Sequence, residues 1–181
     1  MHRRHLLVPL ACLGLTSTVT VGATQPAVAD QSAASHATVT LQGGGLSISA
    51  PTQPGNLGTR SSSVGAVTIQ GRLGRVEVTD ARGAPAGSGW TASAVSTAFT
   101  QRGGPSIGAG SVGYTAGDIS HTGTATLVAN DPNSLTGVSP VVTATEVTGD
   151  NTATWNPTIH IEVGANLPAG IYSGTITHSV S

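Results

Sequence analysis

The stretch Val76-Glu77-Val78-Thr79-Asp80-Ala81-Arg82-Gly83-Ala84-Pro85-Ala86-Gly87-Ser88-Gly89-Trp90-Thr91-Ala92-Ser93-Ala94 decides the fold class of this chain. Val76 and Val78 alternate with Glu77 and Thr79, and Trp90, Ala92 and Ala94 alternate with Thr91 and Ser93. A period of two is what a half-buried strand requires. Between the runs lie Gly83, Pro85, Gly87 and Gly89, residues suited to turning a chain. The pattern predicts a hairpin with a long loop over Asp80 to Gly89, and one face on which the large Trp90 indole stands beside small partners. A bulge there would move the later residues to the opposite face.

The same period recurs outward from this stretch. Ala66 to Gln70 places Val67 and Ile69 on one face, and Ala153 to Val163 sets Ile159, Ile161 and Val163 against His160 and Glu162. Val141 to Val147 and Ile171 to Ser181 are rich in β-branched residues, with shorter strand candidates at Leu46 to Ser49, Ser111 to Thr115 and Ala125 to Ala129. Pro51 to Ser63, Asp131-Pro132-Asn133, Asp150-Asn151 and Leu167-Pro168-Ala169-Gly170 read as loops and turns. The 25 glycines and the scarcity of Leu, Glu and Lys favour strands and turns over helices. The expectation is an all-β fold, an antiparallel β-sandwich in a single domain, with the strand order between Gln101 and Pro140 left open.

The first residues follow different rules. Met1-His2-Arg3-Arg4-His5 is cationic, Leu6 to Leu15 is apolar, and Ala27-Val28-Ala29 fits a small-residue cleavage site. Residues 1–29 therefore read as a secretory signal peptide. The mature form, from Asp30, keeps 152 of the 181 residues, enough for one sizeable core. Residues 30–45, ending Gln42-Gly43-Gly44-Gly45, read as a flexible lead, and residues 46–181 as the sandwich. The apolar run falls short of the ~20 residues a bilayer-spanning helix needs, so the expected protein is secreted, extracellular or cell-wall associated, and not membrane-embedded. Cys12 lies within that run, too early for a lipidation signal, and it leaves the mature chain without disulfides.

Composition also excludes functions. Seven Arg and no Lys face eight acids, and loss of Arg3 and Arg4 leaves five against eight, a net charge of −3. That balance argues against nucleic acid as a partner. No Gly-x-Ser-x-Gly leads from a strand into a helix, and a Ser-x-x-Lys pair is impossible without lysine, so the chain reads as non-enzymatic. His160 and Glu162 could hold zinc with His121 as a third ligand, against the simpler reading of two polar residues on the solvent face of an amphipathic strand. Glu77, Glu146 and Glu162 form no evident glycosidase pair, and the acidic turns lack the spacing of a dedicated calcium loop. No cofactor is expected.

Two segments together carry a resemblance. Val76 to Gly83 running into Gly89-Trp90-Thr91-Ala92-Ser93, and the closing Leu167-Pro168-Ala169-Gly170-Ile171-Tyr172-Ser173-Gly174-Thr175-Ile176-Thr177-His178-Ser179-Val180, resemble the WxL domain of Gram-positive surface proteins. In that family a Val-x-Asp-x-Arg-Gly stretch leads to a first Trp-x-Leu motif, and a strand with a second closes the domain. Here Ala92 stands at the first motif's Leu, His178 at the second Trp and Val180 at the second Leu. The resemblance implies a secreted β-sandwich held non-covalently on the cell wall through peptidoglycan or another wall glycan, often beside other surface proteins.

The candidate binding residues are Trp90, Trp155, Tyr172, Thr177 and His178. Three have a structural counterpart reading: Trp90 as a core anchor, Tyr172 as a corner tyrosine bonding nearby backbone, and His178 as a partly buried histidine on the face of Ile176 and Val180. Trp155, before Asn156-Pro157, is the candidate exposed aromatic. The alternative function is a subunit of a surface protein assembly that pairs through an exposed β-edge.

Overall fold

Alternating apolar and hydroxyl residues carry through into ten strands: β1 (Leu46–Ser49), β2 (Val67–Arg72), β3 (Val76–Ser96), β4 (Phe99–Thr100), β5 (Ser106–Ile107), β6 (Val112–Thr115), β7 (Ile119–Ala129), β8 (Ser139–Trp155), β9 (Thr158–Val163) and β10 (Ile176–Val180). One short 3-10 turn, Ala109–Ser111, interrupts them. The computed structural model describes residues 38–181, and Thr40–Ser181 form one compact unit. The expected signal peptide and Cys12 lie outside the described residues.

The strands form antiparallel sheets that pack together as a β-sandwich. The larger sheet has the order β1-β3-β8-β7, with β10 also paired to β3, beyond β1 along the same strand. The smaller has the order β2-β9-β6, and β4 pairs with β5 alone. Inward residues of the large sheet include Val76, Val78, Ala92, Val142, Ala144 and Ala153, facing Val112, Ile159 and Ile161 of the small one; all are 5% exposed or less. Each Val or Ile among them contributes about 1.5–3 kcal/mol by leaving water.

The expected hairpin over Asp80 to Gly89 is corrected. The chain does not reverse there: β3 runs 21 residues in one direction, and both its halves pair with β8, Asp80 opposite Asn151 and Trp90 opposite Ala144. Gly83 and Gly87, both at positive φ, let β3 take up its extra residues as bulges, on the exposed outer side. Likewise Asp150-Asn151, expected as a turn, lies inside the single strand β8, and the true reversal comes at Asn156-Pro157, where the chain crosses to the other sheet. The last strand begins at Ile176 rather than Ile171. The segment before it is tied down by the Thr100–Ser173 bridge instead. Pairing at the start of β1 reaches into the expected lead: Gly44 N–H donates to the Ala81 carbonyl, and Ala81 N–H to that of Gly45.

Candidate functional site

Two buried hydrogen-bond chains account for most of the residues singled out in the sequence. The first begins at Asp80, whose side chain is fully buried although it carries a charge. Arg82 answers it twice, Nε donating to Oδ1 at 2.8 Å and Nη2 to Oδ2 at 2.9 Å, while the Arg82 backbone N–H donates to Oδ1 at 3.1 Å. The Arg82 hydrogen bond holds the Asp80 carboxyl below the usual carboxylate range, against the opposing effect of burial. Asn151 Nδ2 donates to Asp80 Oδ2 at 3.2 Å, and Asn151 Oδ1 accepts the Trp90 indole N–H at 3.0 Å. Asp80, Arg82 and Trp90, the motif residues of the resemblance, are thus joined to one another through Asn151.

The second chain crosses between the sheets. Trp155 Nε1, on β8, donates to the Tyr114 hydroxyl on β6 at 2.7 Å. The Tyr114 hydroxyl also shares a hydrogen bond with His178 Nε2 on β10 at 3.3 Å, and the two rings meet edge to face at 5.8 Å. Burial pushes the Tyr114 phenol up and the His178 imidazole down to about 4, so His178 is neutral near pH 7. Nδ1 is buried and has no hydrogen-bond partner among the described residues.

A pH dependence follows, with a definite sign. The folded histidine is held below its ordinary value of 6.5, so the unfolded chain takes up the proton first. Stability is therefore fully present above pH 6.5 and falls between 6.5 and about 4, by about 3 kcal/mol in all. Denaturant melts across this window are expected to show the slope in the wild type and a flattened profile in His178→Phe. An unchanged slope in the variant would place the titrating group elsewhere.

Of the candidate binding residues, the two indoles are buried at 3% exposure each, so the expectation of an exposed Trp155 is corrected. Neither indole presents a face on which a sugar could stack. Each reaches a polar partner for its N–H and fills the core, and the Pro157 beside Trp155 is itself fully buried. Tyr172 is half-buried, its hydroxyl donating to the Pro168 carbonyl at 2.8 Å. Thr177 is exposed on the outer face of the large sheet, opposite Val95, and His178 faces inward beside it. These five residues do not converge on one point.

Among the described residues no three His, Cys, Asp or Glu side chains gather in a metal-holding group. His160 Nε2 lies 3.0 Å from Thr115 Oγ1, Asp131 accepts from the Ala116 N–H and Asp150 from the Gly83 N–H, which engages each in a local bond. Ser106 of Gly104-Pro105-Ser106-Ile107-Gly108 sits on β5, opposite Thr100, and the chain continues from it only into the 3-10 turn. No helix among the described residues is long and apolar enough to cross a membrane.

What sequence reasoning missed is the surface that strand pairing assembles. On the outer face of the large sheet, Thr79, Thr152 and Thr122 align across β3, β8 and β7, followed by the pairs Thr148–Thr124 and Thr145–Thr126 and the row Thr91–Thr143. Thr122 Oγ1 and Thr152 Oγ1 are 2.7 Å apart, and Thr122, Thr124, Thr126, Thr145 and Thr148 are all exposed. Thr177 and Ser179 on β10 continue the same face past Ser93 and Val95. Alternating Thr in each strand was the available signal, but only the register joins the strands into rows.

Compared with known proteins, the chain matches no family model, no curated protein and no solved structure.

Proposed function

We propose that the protein is a secreted, non-catalytic surface module that associates non-covalently with the cell wall, with peptidoglycan or another wall glycan as its ligand. The observation that carries this reading is the hydroxyl face just described, a multistranded array of exposed threonines with few charges. A glycan offers many neutral donors and acceptors, and a hydroxyl supplies both roles without the desolvation cost of an ion. The binding surface is thereby moved from the tryptophans, which support the sheet from beneath, to the threonines and Thr177 above them.

A second reading rests on β7. It is an edge strand of 11 residues, Ile119–Ala129, without Lys, Arg, Asp, Glu or Pro, the residues that usually protect such edges from pairing. Its pairing with β8 is broken by two register shifts, between Thr122 and Thr124 and between Thr124 and Thr126, and the alternative of a surface-assembly subunit would use the outer edge.

One experiment separates the two. The mature form, residues 30–181, is mixed with purified Gram-positive walls at physiological salt, beside a variant with Thr122, Thr124, Thr126 and Thr148 replaced by Val. The wild type is expected in the pellet and the folded variant mainly in the supernatant. Full recovery of the wild type in the supernatant would overturn wall binding. If sedimentation of that supernatant then gave concentration-dependent oligomers, the β7 reading would replace it.

A further inference from the structure

Glu146 stands among the exposed threonines of the large sheet, at a point where β8 slips in register against both of its neighbours. Trp90 lies opposite Ala144 and Ser88 opposite Val147 on one side, and Thr126 lies opposite Thr145 and Thr124 opposite Thr148 on the other. Within this irregular stretch Glu146 takes a φ of 54°, in the left-handed region. Among the described residues only two other non-glycine residues have positive φ, Asp131 and Asn166, and both lie outside the strands with short side chains that tolerate it. Glu146 lies inside a strand and has no such side chain. Bulges re-aim side chains, and backbone held in a sparsely populated region concentrates at binding sites, where the side chain does what glycine cannot.

The direction of the side chain is set by Thr126, whose hydroxyl donates to Glu146 Oε2 at 2.7 Å and so places the carboxylate on the outer face beside the Thr126–Thr145 pair. Glu146 takes part in no ion pair among the described residues; the two that form join Arg75 to Glu77 and Arg82 to Asp80. Its Oε1 accepts no hydrogen bond from the described residues, and the residue is exposed. We infer that Glu146 is the charged acceptor of the glycan-binding face, taking sugar hydroxyl or acetamido N–H donors on Oε1 while Thr126 holds Oε2, and that the face thereby selects an uncharged glycan over an anionic phosphodiester polymer. This role rests on the binding of glycan to the threonine face proposed above. A hydrogen bond to a carboxylate is about twice as strong as one between neutral groups, so one Glu gives direction to a surface whose hydroxyls both donate and accept. A polyanion meets a like charge at this point, and neither β7 nor β8 carries a Lys or Arg to offset it.

The probes are the tetramer of N-acetylglucosamine and, in parallel, poly(glycerol phosphate), titrated by calorimetry into residues 30–181 and into Glu146→Gln and Glu146→Gly, with a urea melt of each protein. The wild type is expected to bind the sugar saturably and the phosphate polymer not at all. Glu146→Gln keeps the size and an acceptor oxygen but loses the charge, and is expected to bind about tenfold more weakly. Glu146→Gly is expected to lose detectable binding while its urea midpoint holds or rises, because glycine adopts positive φ without strain. A Glu146 that served the fold alone would give the reverse, a lower midpoint with binding intact. Unchanged binding by the folded Glu146→Gly variant, a lower midpoint for it, preference for the phosphate polymer, or no binding of the tetramer by the wild type would each overturn the role of Glu146. The wall reading is judged separately, by whether cell walls retain the wild type in the pellet.

Discussion

Trp155→Ala is expected to lower the stability of the domain by about 3–5 kcal/mol, the usual cost of removing a fully packed large aromatic. The indole is 3% exposed, and its N–H is the first donor of the chain that passes through Tyr114 to His178. Truncation therefore opens a cavity between the sheets and also leaves the buried Tyr114 hydroxyl without its donor. Trp155→Phe keeps most of the volume and loses only the N–H, so about 1–1.5 kcal/mol is expected. Urea melts of the two variants check both numbers. If Trp155→Ala instead stays within about 1 kcal/mol of wild type and is lost from cell walls, the indole is a ligand platform and its structural assignment fails.

Asp80→Ala is expected to destabilise by about 2–4 kcal/mol, and the reason is mainly hydrogen bonding. The Asp80 side chain is fully buried while that of Arg82 is 36% exposed, so the guanidinium can rehydrate once its partner is gone, and the coulombic part of the pair is screened. Asn151 cannot rehydrate: it is 3% exposed, loses the acceptor for its Nδ2 and is the residue that fixes the Trp90 indole. The loss should extend to Trp90, visible as a red-shifted tryptophan emission in the folded variant. Because the Asp80 carboxyl is held below its ordinary value, its contribution is fully present above about pH 4 and disappears as pH falls through the depressed folded value. Asp80→Asn is expected to abolish that lowest-pH step while leaving the separate His178 decline between pH 6.5 and 4 in place. Retention of the step in Asp80→Asn would show that another carboxylate carries it.

These two residues show where sequence reading succeeds and where it stops. Alternation identified the inward faces of β3 and β9 correctly, since Val76, Val78, Ile159 and Ile161 are all buried as their spacing requires. It also set His178 on the inward face with Ile176 and Val180, and its half-burial and bond to Tyr114 match that placement. Trp155 was harder, because a tryptophan beside Asn156-Pro157 reads as the end of a strand, where aromatic side chains are often exposed. Its burial depends on Tyr114, 41 positions away, which supplies a polar partner for the indole inside the sandwich. Asn151 gave no local signal of importance either, standing next to Asp150 and Gly149 in what looks like a turn.

The sequence by itself determined that the region from Leu46 onward is built from strands and turns, that its strands alternate apolar with hydroxyl-bearing residues, and that few charges are available for chemistry or for polyanions. Those properties follow from side-chain period and composition, which act within a few residues. Only the tertiary structure decided that the glycine-rich stretch after Asp80 continues β3 instead of reversing it. β8 lies alongside both halves, and satisfying its backbone groups favours two bulges over a hairpin. The tertiary structure likewise decided that the tryptophans support the sheet from within, and that the threonines line up in rows with Glu146 among them. Each of these depends on pairing between residues tens of positions apart, for which the local alternation of a strand contains no information.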